Sequence, residues 1–170
     1  QGVHGLSAGT GISYAEAKAF IDKYFEVRPK LKGMIETFRE QALNRGYVET
    51  LLGRRRPTPD AKSSNFIVRE AAFRAAINMP IQGTAADLTK LAMIRVQEQL
   101  DKQFGVARYD DHTSAPQMLL QIHDSIMVEC NESDADKVGE MMKKTMEQVY
   151  PELGVNLRVD VSSGKTWGDL

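Results

Sequence analysis

The sequence lacks several features that mark common classes of protein. It has one cysteine, Cys130, which excludes an internal disulfide and a zinc site built from several cysteines. The apolar neighbours of Cys130 predict a buried thiol. No run of about 18 or more apolar residues is present, and the first residues lack the charged and apolar regions of a signal peptide. These absences favour a cytoplasmic protein with no membrane span.

The sequence also lacks a methionine at its start. It opens at Gln1 and runs into a Gly-rich stretch, residues 1–12, which matches no nucleotide-binding fingerprint and predicts a loop. With 170 residues and 42% hydrophobic content, the chain is long enough for one core-forming domain or a compact piece of a larger one. We expect it to be a fragment.

A net charge of only -1 hides an uneven distribution of charge. Residues 28–74 carry eleven Lys or Arg and five Asp or Glu, whereas residues 101–170 carry seven and thirteen. A basic segment beside an acidic one suits a protein that holds a phosphate backbone with one part and metal ions with the other. The alternative is that both segments are solvated surface.

Residues 118–130 set polar side chains between two apolar runs. The pattern predicts a β-hairpin with His123, Asp124 and Ser125 at its tip. A carboxylate held by two strands suits magnesium, which often takes only one or two protein carboxylates together with substrate phosphates. Asp124 is therefore a candidate metal ligand. The alternative is that Asp124 and Ser125 are ordinary turn residues that bond nearby backbone groups.

The remaining pattern is mostly helical. Ser13 and Glu16 predict a capped helix that ends near Val27, and Pro29 begins a second helix that Gly46 closes. Further helices are predicted at about 66–77, 82–104 and 132–149. Pro80 should break or kink the chain between the first two of these. The methionines of the last helix, at core spacing, are more typical of packing than of a binding groove.

Alternating apolar residues at 155–161 predict a strand beside the hairpin. We therefore predict an α+β fold in which a small antiparallel sheet, made of the hairpin 118–130 and the strand 155–161, packs on long helices. The first 60 or so residues should form a mainly helical outlying lobe. The polar run 106–115, which contains His112, predicts a loop, and we assign it no chemistry.

Two groups of side chains are candidates for contact with nucleic acid. The strand-like residues 47–52 and the turn at Gly53 predict a short hairpin with a basic tip, formed by Arg54, Arg55 and Arg56. Such a tip suits phosphate, although it could also be a solvated basic turn. Arg74, Asn78 and Gln82 recur every four residues and could reach the minor groove, where amides bond acceptors present on every base pair. Alternatively, Asn78 caps a helix and Gln82 bonds free backbone donors in a first turn.

Five segments, taken in order, resemble DNA polymerases of family A, the bacterial DNA polymerase I group. They are GYVETLLGRRR at 46–56, KSSN at 62–65, RAAINMPIQGTAAD at 74–87, QIHDSIMVE at 121–129 and SSGKTW at 162–167. The resemblance covers essentially the whole chain and implies a fingers-derived helical segment at 1–65 and a palm subdomain at 66–170.

The resemblance also implies roles for the candidate residues. Asp124 would be one of two aspartates that hold a catalytic magnesium pair, with manganese as a possible substitute. His123 would contact the primer terminus. The residues implied to line the minor groove of the new duplex are Arg74, Asn78 and Gln82. The implied partners are primer-template DNA, an incoming dNTP and the rest of the polymerase chain.

The sequence departs from the family pattern in two ways. Ser125 stands where the family usually has glutamate, which implies weaker metal binding rather than lost chemistry. The second aspartate and the nucleotide-binding helix would lie upstream of this chain, so we expect the isolated chain not to extend primers. One alternative is a non-catalytic DNA-binding module derived from a polymerase palm. A metal-dependent hydrolase using His123, Asp124 and Glu129 is disfavoured, because Glu129 should lie far from the hairpin tip.

Overall fold

The computed structural model describes residues 2–106 and 115–170. Most of the loop predicted at 106–115 therefore lies outside the described residues. The chain divides into two compact units, Gln1–Ile81 and Gln82–Leu170, which we call unit 1 and unit 2. Both units are mainly helical and each contains a small antiparallel sheet, which confirms the predicted α+β class.

Unit 1 opens with three helices, α1 (Val3–Thr10), α2 (Tyr14–Glu26) and α3 (Pro29–Glu40). The prediction of a loop at 1–12 was wrong for most of that stretch. Glycine weakens a helix by about 1 kcal/mol without forbidding it. Gly11 then ends α1 in the left-handed conformation, with φ 75°. The glycines thus shape the end of a helix instead of preventing one.

The ends of α2 and α3 follow the predicted local signals. The Glu16 backbone N–H donates to Ser13 Oγ, and the Ser13 backbone N–H donates to the Glu16 carboxylate at 2.9 Å. Hydrogen bonds from the Ser13 hydroxyl and backbone hold the pKa of the Glu16 carboxyl below its usual value. Pro29 occupies the first turn of α3, which continues into a π-helical turn, Gln41–Arg45, before Gly46.

A two-stranded antiparallel hairpin follows, made of β1 (Tyr47–Glu49) and β2 (Arg55–Pro57). Val48 is fully buried and anchors this hairpin to the unit 1 core. The other buried members of that core are Ala42, Ala61, Phe73 and Ala76. The predicted basic hairpin is therefore confirmed as a local structure.

The long helix α4 spans Phe66–Phe104 without interruption. The predicted break at Pro80 does not occur, and Pro80 lies inside the helix. Proline removes one backbone donor, while the hydrogen bonds of the turns on both sides can maintain the helix. Asn65 caps its start, since the Asn65 side chain accepts from the backbone N–H of Ile67 at 2.9 Å.

Unit 2 contains the predicted central hairpin, β3 (Gln117–Ile122) and β4 (Ser125–Glu129), followed by helix α5 (Ala135–Glu147). A β-bulge interrupts the pairing between Met118 and Leu120. The hairpin and α5 pack on the second half of α4 through one core cluster, whose buried members are Val96, Leu100, Val138 and Met141. Because Met141, Met142 and Met146 all pack in this core, the methionine stripe is structural, as expected.

The predicted strand at 155–161 is not a strand in this structure, and the sheet of unit 2 has only two members among the described residues. The backbone N–H of Val159 donates to Glu147 Oε1 at 3.2 Å instead of to a neighbouring strand. Leu157 packs against the cluster of Leu88, Ala92 and Val149. Leu157 therefore anchors this segment to the core without strand pairing, while Val155 and Val161 remain exposed.

Two further expectations concern Cys130 and membranes. Cys130 is a free thiol of intermediate exposure, so it is less buried than predicted. Desolvation by burial raises the pKa of the Cys130 thiol, and the carboxylates of Asp134 and Glu129 add to the increase. Within the described residues, no helix combines the length and apolar character needed to cross a membrane.

Candidate metal and nucleic-acid site

The turn between β3 and β4 consists of two residues, His123 and Asp124. Ile122 and Ser125 are paired across the hairpin and close the turn, so Ser125 is the first residue of β4 instead of part of the tip. The side chain of Asp124 is exposed. Two paired strands thus present a solvent-accessible carboxylate, as the sequence predicted.

The backbone of this turn adopts an unusual conformation. His123 has φ 54°, and among the described residues it is the one non-glycine residue with positive φ. This left-handed region is sparsely populated by residues with a side chain, although histidine visits it more often than most. The amide Nε2 of Gln121 donates a hydrogen bond to the carbonyl oxygen of His123. Gln121 thereby contacts the turn directly, a role that the sequence did not indicate.

The donor chemistry of the turn fits magnesium only as part of a larger site. Asp124 offers one exposed carboxylate, which is a suitable ligand for a hard cation. Among residues 2–106 and 115–170, no group of three or more His, Cys, Asp or Glu could hold a metal ion. Glu129 pairs with Gln117 at the far end of the hairpin, so the arrangement expected for a hydrolase is not present.

The three arginines of the basic hairpin in unit 1 have different surroundings. Arg54 belongs to the turn, where its backbone N–H donates to Thr50 Oγ1 at 3.0 Å. Arg55 Nε donates to Glu49 Oε2 at 3.2 Å, and its guanidinium lies 4.6 Å from the centre of the Tyr47 ring. The side chain of Arg56 is exposed. The sequence pattern did not indicate a role for Tyr47 or Glu49, which cross-strand pairing brings to the same face as Arg55.

The candidate minor-groove residues lie on α4. Arg74 and Asn78 are exposed, one helical turn apart in unit 1, and Gln82, the first residue of unit 2, is also exposed. Because α4 is continuous here, Asn78 is not a helix cap and Gln82 is not in a first turn, so both alternatives are excluded. Glu70, one turn earlier, is ion-paired with Arg39 at 2.9 Å.

Comparison with known proteins identifies the family. The model of DNA polymerase family A matches residues 1–169. This chain belongs to DNA polymerase family A. The family A match covers both units, including the hairpin that carries Asp124 and the basic hairpin.

Curated family A relatives are similar over almost all of the chain. The thermostable DNA polymerase I of Thermus aquaticus is 45% identical over 164 residues, which is 96% of this chain and 18% of that protein. DNA polymerase I of Streptococcus pneumoniae is 45% identical over 163 residues, 96% of this chain and 17% of that protein. The chain therefore spans less than a fifth of the length of these relatives.

A solved structure of a family A polymerase is also similar. It is the POL domain of Pol1 from M. smegmatis in complex with DNA primer-template and dNTP. The match has a TM-score of 0.80 and 40% sequence identity, and it covers 97% of this chain and 27% of that one. The fold described above is therefore that of part of a family A polymerase domain.

Proposed function

We propose that this chain is the C-terminal part of a template-directed DNA polymerase that transfers nucleotides to a primer 3′-hydroxyl with two magnesium ions. The observation that carries the proposal is the exposed carboxylate of Asp124 on a two-residue turn, in a chain of family A. The similar M. smegmatis domain is bound to primer-template and dNTP, which supports these as partners of the complete protein. The cytoplasm is the proposed compartment.

Asp124 is the proposed catalytic carboxylate and metal ligand of this chain. Magnesium accepts one or two protein carboxylates and completes its shell with water and phosphate oxygens, so a second carboxylate would come from elsewhere in the polymerase. Manganese could substitute. When bound, the metal pair would activate the primer 3′-hydroxyl and stabilise the leaving pyrophosphate. The role of this chain in the reaction would be to hold one carboxylate in a fixed position.

The DNA contacts are divided among several elements. His123, beside Asp124 in the turn, is proposed to contact the primer terminus. Arg74, Asn78 and Gln82 are proposed to bond the minor groove of the new duplex, where acceptors occur on every base pair and contact requires no particular sequence. Residues 1–65 are proposed to derive from the fingers and residues 66–170 to form a palm subdomain.

The 170-residue chain alone is expected not to extend a primer, because the described residues contain no group of three or more His, Cys, Asp or Glu that could hold a metal ion. Primer extension with magnesium or manganese tests this, with the complete polymerase as the positive control. Steady incorporation of nucleotides by the isolated chain would contradict the proposed division of the active site.

Arg56 is expected to be a phosphate contact of the basic hairpin, because its side chain is exposed, whereas Arg55 is partly neutralised by Glu49. Arg56→Ala in the complete polymerase should weaken DNA binding about equally for all sequences. It should also reduce the slope of log affinity against log salt by about one. Lys18→Ala, which removes an exposed cation paired with Asp22, is the control. An unchanged salt slope in Arg56→Ala would exclude this contact.

Ser125 is expected to limit metal affinity, since a hydroxyl stands beside Asp124 where the family usually has a carboxylate. Ser125→Glu should lower the magnesium concentration needed for half-maximal activity, because a second negative charge beside Asp124 attracts the cation. Ser125→Gln controls for side-chain size. Equal magnesium dependence of Ser125→Glu and wild type would mean that position 125 does not face the metal.

Ser125 also favours a second candidate function, a DNA-binding module that has lost its metal chemistry. The two candidates differ in their response to Asp124→Ala. If the protein is a polymerase, the Asp124→Ala variant should bind magnesium or manganese more weakly than wild type. If it is a non-catalytic module, the variant should bind DNA and metal as the wild type does.

A further inference from the structure

The turn that carries Asp124 contains a carbonyl group that the strand ladder leaves without a partner. In a two-residue hairpin, the closing pair, here Ile122 and Ser125, uses its own backbone groups in the ladder. The carbonyl of the first turn residue lies outside the ladder, and in this exposed turn it can accept from water or from a side chain. Here the Gln121 amide donates to the oxygen of His123. A side chain therefore holds the middle of the turn.

This hydrogen bond acts on the peptide unit that leads into Asp124. The His123 carbonyl and the Asp124 N–H belong to one planar peptide, so fixing the carbonyl also fixes the direction in which the chain enters Asp124. His123 needs such support, because its φ of 54° lies in a region that a residue with a side chain seldom adopts. The backbone conformation and the Gln121 contact thus support each other.

The strand pair links Gln121 to the core of unit 2. It lies on β3 directly opposite Ile126 of β4. Ile126 packs against the buried cluster of Leu88, Ala92 and Val149. The backbone pairing of β3 with β4 therefore connects the exposed Gln121 to a residue that packs in the core, and the side chain of Gln121 bonds to the peptide before Asp124.

We infer that Gln121 is a positioning residue, which fixes the turn so that the carboxylate of Asp124 is already oriented for a divalent cation. The inference rests on the proposed role of Asp124 as a metal ligand. Without the amide donor, the turn samples further conformations, and metal binding must then select one of them. The hydrogen bond is exposed, so its loss should have a moderate effect on metal affinity, about threefold to tenfold.

The test uses the complete polymerase chain that carries these residues, bound to primer-template. Manganese affinity is measured by electron paramagnetic resonance of the free ion during titration, which does not depend on catalysis. Gln121→Ala removes the side chain, and Gln121→Met keeps its length without the donor. Gln117→Ala is the matched control, because it removes a glutamine from the same strand at the end far from the turn. Thermal unfolding is followed in parallel.

Both Gln121 variants are expected to bind manganese about threefold to tenfold more weakly than wild type at nearly unchanged melting temperature, while Gln117→Ala binds normally. A purely structural role would lower the melting temperature and leave manganese affinity intact, which overturns the inference. The inference also fails if Gln121→Met binds manganese as wild type does, even where Gln121→Ala does not fold. If Asp124→Ala also binds manganese normally, the proposed function itself fails, and this outcome is distinct from the failure of the inference.

Discussion

Asp124→Asn in the complete polymerase is expected to lower kcat by about three orders of magnitude. Asparagine keeps the size of the side chain and removes its negative charge, so the turn should keep its shape while it loses affinity for a divalent cation. A metal ion contributes several kcal/mol of transition-state stabilisation, and about 4 kcal/mol corresponds to roughly a thousandfold in rate. Single-turnover primer extension measures this loss, because it isolates the chemical step from product release.

Glu129→Gln is the matched control for Asp124→Asn. It neutralises a carboxylate of the same hairpin at the opposite end, where Glu129 pairs with Gln117. Its single-turnover rate should stay within about twofold of wild type, because surface substitutions away from a site have small effects. If Asp124→Asn and Glu129→Gln gave equal rates, Asp124 would have no special role in the reaction.

Leu100→Ala should have the largest effect on the stability of unit 2. Leu100 is 1% exposed and packs with Val96, Val138 and Met141 in the core beneath the hairpin. Removal of a buried leucine side chain costs about 2 to 5 kcal/mol, since transfer free energy is lost and a cavity remains. Chemical denaturation of the 170-residue chain, with the fluorescence of its single tryptophan and circular dichroism as probes, measures the free energy of unfolding.

Ile94→Ala provides the comparison for Leu100→Ala on the same helix. Ile94 is 58% exposed, so its truncation should change the free energy of unfolding by about 0.5 kcal/mol or less. A similar loss in both variants would mean that the cluster around Leu100 does not form the core of unit 2.

The sequence predicted those parts of the fold that depend on neighbouring residues. Ser13 and Glu16 form a capping box because the two side chains are three residues apart, and Pro29 begins a helix because its ring fixes φ. The central hairpin follows from two apolar runs around a polar turn. In each case, residues a few positions apart contain the whole signal.

Predictions that depend on distant partners were less successful. Residues 155–161 alternate as a strand would, yet their pairing requires a free neighbouring strand, and the Glu147 side chain accepts from Val159 instead. A local signal also failed at Pro80, because the break that this proline predicts does not occur in α4. The alternation pattern does not show whether the backbone is paired, and of the alternating residues Val155 and Val161 are exposed whereas Leu157 packs on the core.

The supporting residues of the candidate site required the structure. The contact of Gln121 with His123 depends on the two-residue length of the turn, whereas the sequence allowed a turn of three. The ion pair of Arg55 with Glu49 depends on the register of β1 and β2, which the sequence did not specify. The resemblance to family A indicated Asp124 and His123, while the groups that hold them come from packing and register.

Anomalous diffraction from crystals of the complete polymerase, with primer-template, dNTP and manganese, tests the central claim most directly. An anomalous peak about 2.2 Å from a carboxylate oxygen of Asp124 is the predicted result, because hard cations bind oxygen ligands at about this distance. A manganese site held entirely by other residues, with the Asp124 carboxylate in bulk solvent, would contradict the account.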